Sequence, residues 1–382
     1  MKVLHVITGL GVGGAELQLR SILQQTRHDS EVVTLYNPGP VADMIRSDGG
    51  RVRDVGMTRN TQLSALLRLR GLIHDGGYDV VHAHLYRSQV YGRAAAWLAG
   101  TPVILSTEHS IGETHLERRK MSRGVQALYL GTEVLSDMTV AVSGTVRERL
   151  EKWGVRQKRI TVIPNGVDLQ RVAFDDTARH RIRAEFGVGP DVYLIGVLGR
   201  LDPNKQFDLV IEAASELLSD QVKLLIVGKG AEQEHLEQVA REQGVAGHVI
   251  FAGERHDVSA MLSAMDLFVA SSKQETFGLS VLEALANGAP VLYTTCPALE
   301  GLDAGRARQI PSTVAGISEA MADELAAGQR PRIAEPAVEK EYSVEAVTAR
   351  IDDLYERLAT RTRLRTIWRA RTQARTTGGT TR

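Results

Sequence analysis

One cysteine, Cys296, occurs in 382 residues. This excludes a disulfide framework and any multi-cysteine metal site, and it fits a reducing cytoplasm. Cys296 itself reads as a small buried hydrophobe and not as a nucleophile. Net charge is lacking too: 46 basic and 46 acidic residues cancel, so the overall balance implies neither nucleic acid nor an anionic membrane as partner. No apolar run approaches the roughly twenty residues that cross a bilayer, so any membrane contact would be peripheral. The opening MKVLHVITGL lacks a small-residue cleavage pattern and runs straight into glycines, which makes it a strand and not a signal peptide. Asp-x-Asp, a common arrangement for holding Mg²⁺ or Mn²⁺ at a strand end, is missing. The adjacent pairs Asp175–Asp176 and Asp352–Asp353 fall in a crossing segment and in the last helix.

What is present is an alternation of apolar strands and amphipathic helices, long enough for two α/β domains. Residues Lys2 to Thr8, VVTLY and VVHAH have the continuous apolar character of buried parallel strands, with helical patterns between them. A second series restarts at YLIGVLGRL. After the first strand, Gly9, Gly11 and Gly14 satisfy G-x-G-x-x-G, so a nicotinamide or flavin enzyme is a rival reading. That rival needs an acid at the end of the second strand, where Tyr36, Asn37 and Pro38 stand instead.

Several residues at strand ends carry chemistry. His82 and His84 share a strand face, which allows a metal pair, a hydrogen-bonding role on the acceptor side, or plain cleft lining; no third ligand follows at a telling spacing. His109 ends the next strand. In LERRKMSR, Arg118, Arg119, Lys120 and Arg123 form a basic run expected at a helix start, either a solvated face or a contact for anionic lipid or acceptor. Arg200 and Lys205 straddle a strand-to-helix loop, where cations would meet a diphosphate. In ETFGLSVLEALANGAPV, Gly278 precedes a short apolar helix closed by Gly288 and Pro290. Backbone N–H groups of Phe277, Gly278 and Leu279 would then lie at a helix N-terminus, which favours an anion. Glu275 and Glu283 flank that position as acceptors for sugar hydroxyls.

The pattern E-x7-E, with FG after the first acid and an A-x-G-x-P-V ending (Ala286 to Val291), resembles the donor site of retaining glycosyltransferases of family 4. The segments GGAE (Gly13, Gly14, Ala15, Glu16), EHS, IPNGVD (Ile163 to Asp168) and GRLDPNK resemble other motifs of that family in the expected order. The resemblance implies the GT-B fold, two Rossmann-like domains facing across a cleft. It assigns Glu275 to donor-sugar hydroxyls, Glu283 to the nucleotide ribose, Arg200 and Lys205 to the diphosphate, and His109 to the donor sugar near the reacting centre. The Gly13–Gly14 loop would face the donor across the cleft, and the loop at Glu254 and Arg255 would meet the base. Gln206 stands where the family usually has glycine, and after Val291 the resemblance weakens.

The implied domains are an acceptor-side domain over 1–170, a donor domain over 171–341, a helix crossing back over 342–360 and a basic tail over 361–382. Disorder is the first reading of that tail; Leu364, Ile367 and Trp368 at helical spacing allow a membrane-surface helix. The implied activity is transfer of a hexosyl group from a nucleotide-sugar to an acceptor hydroxyl, with retention and with neither metal nor cofactor, in the cytoplasm or at its membrane periphery. A nucleotide-sugar epimerase, a nicotinamide oxidoreductase and a non-catalytic donor-binding protein remain as alternatives.

Overall fold

A computed structural model describes residues 1–112, 115–116 and 119–377, without the side chains of Arg119 and of residues 363–377. The chain divides into two compact units, Met1–Gly166 with the segment from Val344 onward, and Val167–Ser343.

The first unit holds the strands β1 (Lys2–Ile7), β2 (Asp29–Thr34), β3 (Arg51–Asp54), β4 (Val80–His84) and β5 (Val103–Glu108). A short antiparallel pair follows, β6 (His115–Leu116) with β7 (Arg119–Lys120), and then β8 (Met138–Ala141) and β9 (Ile160–Val162). Among the described residues the main sheet has seven strands in the order β3-β2-β1-β4-β5-β8-β9. All its neighbours run parallel. Its central strands are buried along nearly their whole length because helices cover both faces, which is why they read as unbroken apolar runs.

The second unit repeats the plan with β10 (Tyr193–Leu198), β11 (Val222–Val227), β12 (Val249–Gly253), β13 (Leu267–Ala270), β14 (Val291–Tyr293) and β15 (Ala307–Gln309). Their order is β12-β11-β10-β13-β14-β15, again parallel. In both sheets the winding reverses beside the first strand, between β1 and β4 and between β10 and β13. At such a reversal the connections leave in opposite directions and open a crevice at the strands' carboxyl ends, where ligands of open α/β sheets bind.

The chain leaves the first unit after Gly166 and returns at Val344. A Cβ at Gly166 would lie 2.7 Å from Val344 Cα, so the close approach of these two backbones requires glycine. The last helix, Val344–Thr377, buries Val347, Ile351, Leu354, Tyr355 and Leu358 against Val3, Val80, Val103 and Val140. Those positions recur at helical spacing on one face. Asp352 accepts from Thr26 Oγ1 at 2.8 Å and from the Arg27 amide at 3.1 Å, while Arg27 donates to Asp353 at 2.7 Å. The helix continues to Thr377, where the sequence reading ends it near 360 and expects a disordered tail. No glycine or proline interrupts 359–377, and Arg, Ala and Leu favour helix, so nothing within that stretch stops it. The side chains of Leu364, Ile367 and Trp368 lie outside the described residues.

Candidate active site

In the second unit the predicted site residues Arg200, Lys205 and Glu275 follow the carboxyl ends of β10 and β13. After β10, Gly199 leads into Arg200, which is exposed, and Asp202 caps a single 3-10 turn, Pro203–Lys205, by accepting from the Asn204 amide at 3.1 Å. A Cβ at Gly199 would sit 3.1 Å from Lys205 Cε, so this glycine lets the lysine side chain pass. Lys205 Nζ donates to Glu275 Oε1 at 2.6 Å and to Ser272 Oγ at 3.2 Å. The cation of one loop and the acid of the next are thus joined.

Gln206 adopts a left-handed conformation, φ 49° and ψ 43°. This explains why the family places glycine there: a side chain in that region costs about 1–2 kcal/mol. Part of the cost is offset by Ser312 Oγ, 3.1 Å from Gln206 Oε1.

Beyond Glu275 the loop is held from its inner side. Phe277 is buried, packs edge-on against Tyr342 at 5.5 Å, and its carbonyl accepts from the Ala298 amide at 2.9 Å and from Cys296 Sγ at 3.5 Å. Gly278 then takes φ 103° and opens the helix Leu279–Ala286. A Cβ there would meet Cys296 Sγ at 2.5 Å. The helical ladder begins with Val281 and Leu282 donating to the Gly278 carbonyl, so the N–H groups of Phe277, Gly278 and Leu279 precede it. Cys296 is the packing residue expected of it, and burial pushes its thiol up to about 12. Glu283 lies within the helix, half-buried; desolvation pushes its carboxyl up to about 7 against the opposing pull of Arg171. Arg255 is engaged by Glu185 at 2.6 Å and by Asp257 at 2.9 Å.

In the first unit the loop after β1 passes under the end of β2. A Cβ at Gly9 would come within 3.0 Å of the Tyr36 carbonyl, so glycine is needed for this approach. Gly13 caps the helix Gly14–Gln25 with extended backbone and no side-chain cap, and Glu16 lies in its first turn. Glu31 of β2 is buried and accepts from Tyr78 Oη at 2.8 Å, a structural use for an acid that a dinucleotide site would place at the strand end.

His82 and His84 do share a face, with ring centroids 4.2 Å apart, but both are buried. His82 is tied to Tyr355 Oη at 2.6 Å and to Thr107 Oγ1 at 2.7 Å, so it is a core residue and no acceptor contact. The third histidine that the spacing failed to reveal is His5, brought beside His82 by the β1–β4 register. One nitrogen of each of the three lies within 4.8 Å of the others. The available signal was a histidine in the middle of an apolar strand. His109 follows β5, and its Nε2 is 3.4 Å from His84 Nδ1. Leu85, directly after β4, takes φ 71° and ψ 151°, a region almost confined to glycine. No sequence signal marked this strain, which sits at the first unit's winding reversal. The basic run begins no helix before Arg123: Lys120 lies in β7, Ser122 caps Arg123–Glu133, and Arg118 lies outside the described residues.

The family model for Glycosyltransferase Family 4 matches residues 12–171, and that for Glycosyl transferases group 1 matches residues 178–302. This chain is a family 4, group 1 glycosyltransferase. A relative from Escherichia coli, UDP-Gal:alpha-D-GlcNAc-diphosphoundecaprenol alpha-1,3-galactosyltransferase, is 26% identical over 74% of this chain and 76% of its own. The D-inositol 3-phosphate glycosyltransferase of Acidothermus cellulolyticus is 30% identical over 60% of this chain, a match spanning 55% of that longer protein. Among solved structures, Anabaena Alr3699/HepE in complex with UDP-glucose superposes with a TM-score of 0.81 at 22% identity, covering 93% of this chain and 99% of the other. That likeness shows the fold, GT-B, for this glycosyltransferase. No helix among its described residues is long and apolar enough to cross a membrane.

Proposed function

We propose that this glycosyltransferase moves a hexosyl group from a UDP-sugar to an acceptor hydroxyl with retention at the anomeric carbon. The observation that carries the reading is the Lys205–Glu275 pair beside the N-terminus of the helix Leu279–Ala286, at the winding reversal of the second sheet. Glu275 accepts from hydroxyls of the donor sugar and Glu283 from the ribose. Arg200, Lys205 and the N–H groups of Phe277, Gly278 and Leu279 face the diphosphate, whose charge rises as its bond to the sugar breaks. The new bond from the anomeric carbon to the acceptor oxygen forms on the face the diphosphate leaves, and the acceptor proton passes to the departing phosphate oxygen. The family resemblance supports a role in donor binding for His109 and for the Gly13–Gly14 loop. The charge partners are protein groups, so no divalent metal and no cofactor is required. UDP as the nucleotude part is supported by the HepE complexes with UDP and UDP-glucose. A lipid-linked acceptor, reached by peripheral membrane contact from the cytoplasm, is supported by the diphosphoundecaprenol in the name of the E. coli relative.

The test is incubation with a mixture of UDP-, GDP- and ADP-sugars, mass spectrometry of what the protein retains, and NMR of the product formed with a polyprenyl-diphosphate-linked sugar. A UDP-hexose should be retained and the product linkage should keep the donor's anomeric configuration. Inversion, or a rearranged UDP-sugar formed without acceptor, would overturn the reading.

A further inference from the structure

His5, His84 and His109 form a row of which the transfer chemistry above uses only His109. His5 Nδ1 lies 3.1 Å from His84 Nε2, and His84 Nδ1 lies 3.4 Å from His109 Nε2. His82 stands beside the row, both its nitrogens held by the Tyr355 and Thr107 hydroxyls.

We propose that His84 and His5 are positioning residues that set the tautomer of His109: His5 Nδ1–H donates to His84 Nε2, His84 Nδ1–H donates to His109 Nε2, and His109 keeps its proton on Nδ1. This rests on the reading that His109 meets the donor sugar. The chain makes it a hydrogen-bond donor held in one state.

The argument is one of proton counting. A neutral imidazole has one N–H and one acceptor nitrogen, so fixing the direction of one hydrogen bond in the row fixes the other. Two directions are possible, and they differ only in which end carries an N–H. At those ends His5 Nε2 and His109 Nδ1 have no hydrogen-bond partner among the described residues. His5 is 1% exposed, in the interior of the sheet, whereas His109 is only partly buried and has the Asn165 side chain beside it. Both nitrogens are buried, but the Asn165 side chain beside His109 can accept, whereas burial alone acts on His5, so the N–H costs less on His109 and the proton belongs there. Burial lowers His5 to about 3 and His109 to about 4, and it lowers His82 and His84 as well, which keeps every ring neutral near pH 7. A metal ion held by His5, His82 and His84 would compete for nitrogens already committed to these hydrogen bonds.

Histidine-selective ¹⁵N labelling of the full chain tests the proposal, because two-bond ¹H–¹⁵N correlations distinguish the two neutral tautomers. In the resting protein His109 should show a protonated Nδ1 and a bare Nε2. In His5→Phe the donor to His84 is lost and His109 should become a mixture. In His5→Asn, where the amide nitrogen replaces Nδ1, it should return to the single form. With a UDP-sugar, His5→Phe should lower kcat by about ten- to a hundredfold at little-changed KM, the size expected from misplacing one group near the reaction, and His5→Asn should recover most of the loss. A wild-type His109 protonated on Nε2, signals unmoved in His5→Phe, or a stoichiometric metal in the purified protein would each overturn the proposal. If His5→Phe does not fold, the wild-type and His5→Asn spectra decide. The spectra need no turnover: inactivity toward every nucleotide-sugar with the expected tautomer would reject the functional reading and leave the row intact.

Discussion

Lys205 Nζ and Glu275 Oε1 lie 2.6 Å apart, joining the loop after β10 to the loop after β13, with both side chains about one-fifth exposed (20% each). In the proposed function the cation turns to the diphosphate and the acid to the sugar when a donor arrives. Lys205→Met should lower turnover by about 10²–10³-fold, the loss expected for a transition-state charge partner. Glu275→Gln should leave UDP affinity within about threefold while turnover with the complete donor falls. The double mutant should lose less than the product of the two. Calorimetry with UDP and initial rates for all four proteins measure this, and strictly multiplicative losses would show that the two do not act together.

Glu283 should make nucleotide binding pH-dependent. Its carboxyl is pushed up to about 7, so it ionises near neutrality and accepts fully from ribose hydroxyls only above that. UDP affinity should rise between about pH 6 and pH 8, with the slope absent in Glu283→Gln and affinity lowered by about 1–3 kcal/mol in Glu283→Ala. Stability should run the other way. The folded-state pKa of about 7 exceeds the ordinary 4.5, so the folded protein binds more protons between those values, and this group's contribution falls as pH rises through that window. Urea midpoints for wild type and Glu283→Gln across the window check the sign; a wild type that gains stability relative to the mutant as pH rises would contradict it.

Two backbone positions should respond oppositely. Gln206→Gly relieves a left-handed side chain, partly opposed by the entropy glycine adds to the unfolded chain, for a net gain of about 0.5 kcal/mol or no change. Gly278→Ala meets both the φ of 103° and Cys296 Sγ. It should cost about 2 kcal/mol or more and lower UDP binding by displacing the helix N-terminus. Denaturation midpoints decide, and a harmless Gly278→Ala would remove the argument for a preset anion site.

Chelation should change nothing. The adjacent acid pairs have other work: Asp175 caps a helix by accepting from the Ala178 amide at 3.0 Å, and Asp352 and Asp353 bind the Thr26–Arg27 turn. Rates in excess EDTA should equal those with Mg²⁺. Activity abolished by EDTA and restored by a divalent ion would mean the phosphate charges are neutralised differently.

Much of this was legible in the linear chain because its causes are local. Strand and helix positions follow from apolar periodicity, and glycines such as Gly278 from conformations that other residues rarely adopt. Acids and cations at strand ends stand where a parallel sheet must present them. Gln206 shows the limit: its place in the motif was readable, but its left-handed backbone was not.

What only the tertiary structure decided depends on register and on which strands become neighbours. His5 and His82 are 77 positions apart and meet because β1 and β4 pair at the winding reversal. Tyr355, at the far end of the chain, reaches His82 because the last helix folds onto that sheet. The strained Leu85 and the closure of Lys205 onto Glu275 belong to the same class. Local preferences in sequence name the residues that can act. Long-range pairing, driven by burying two faces of a parallel sheet, decides which of them meet.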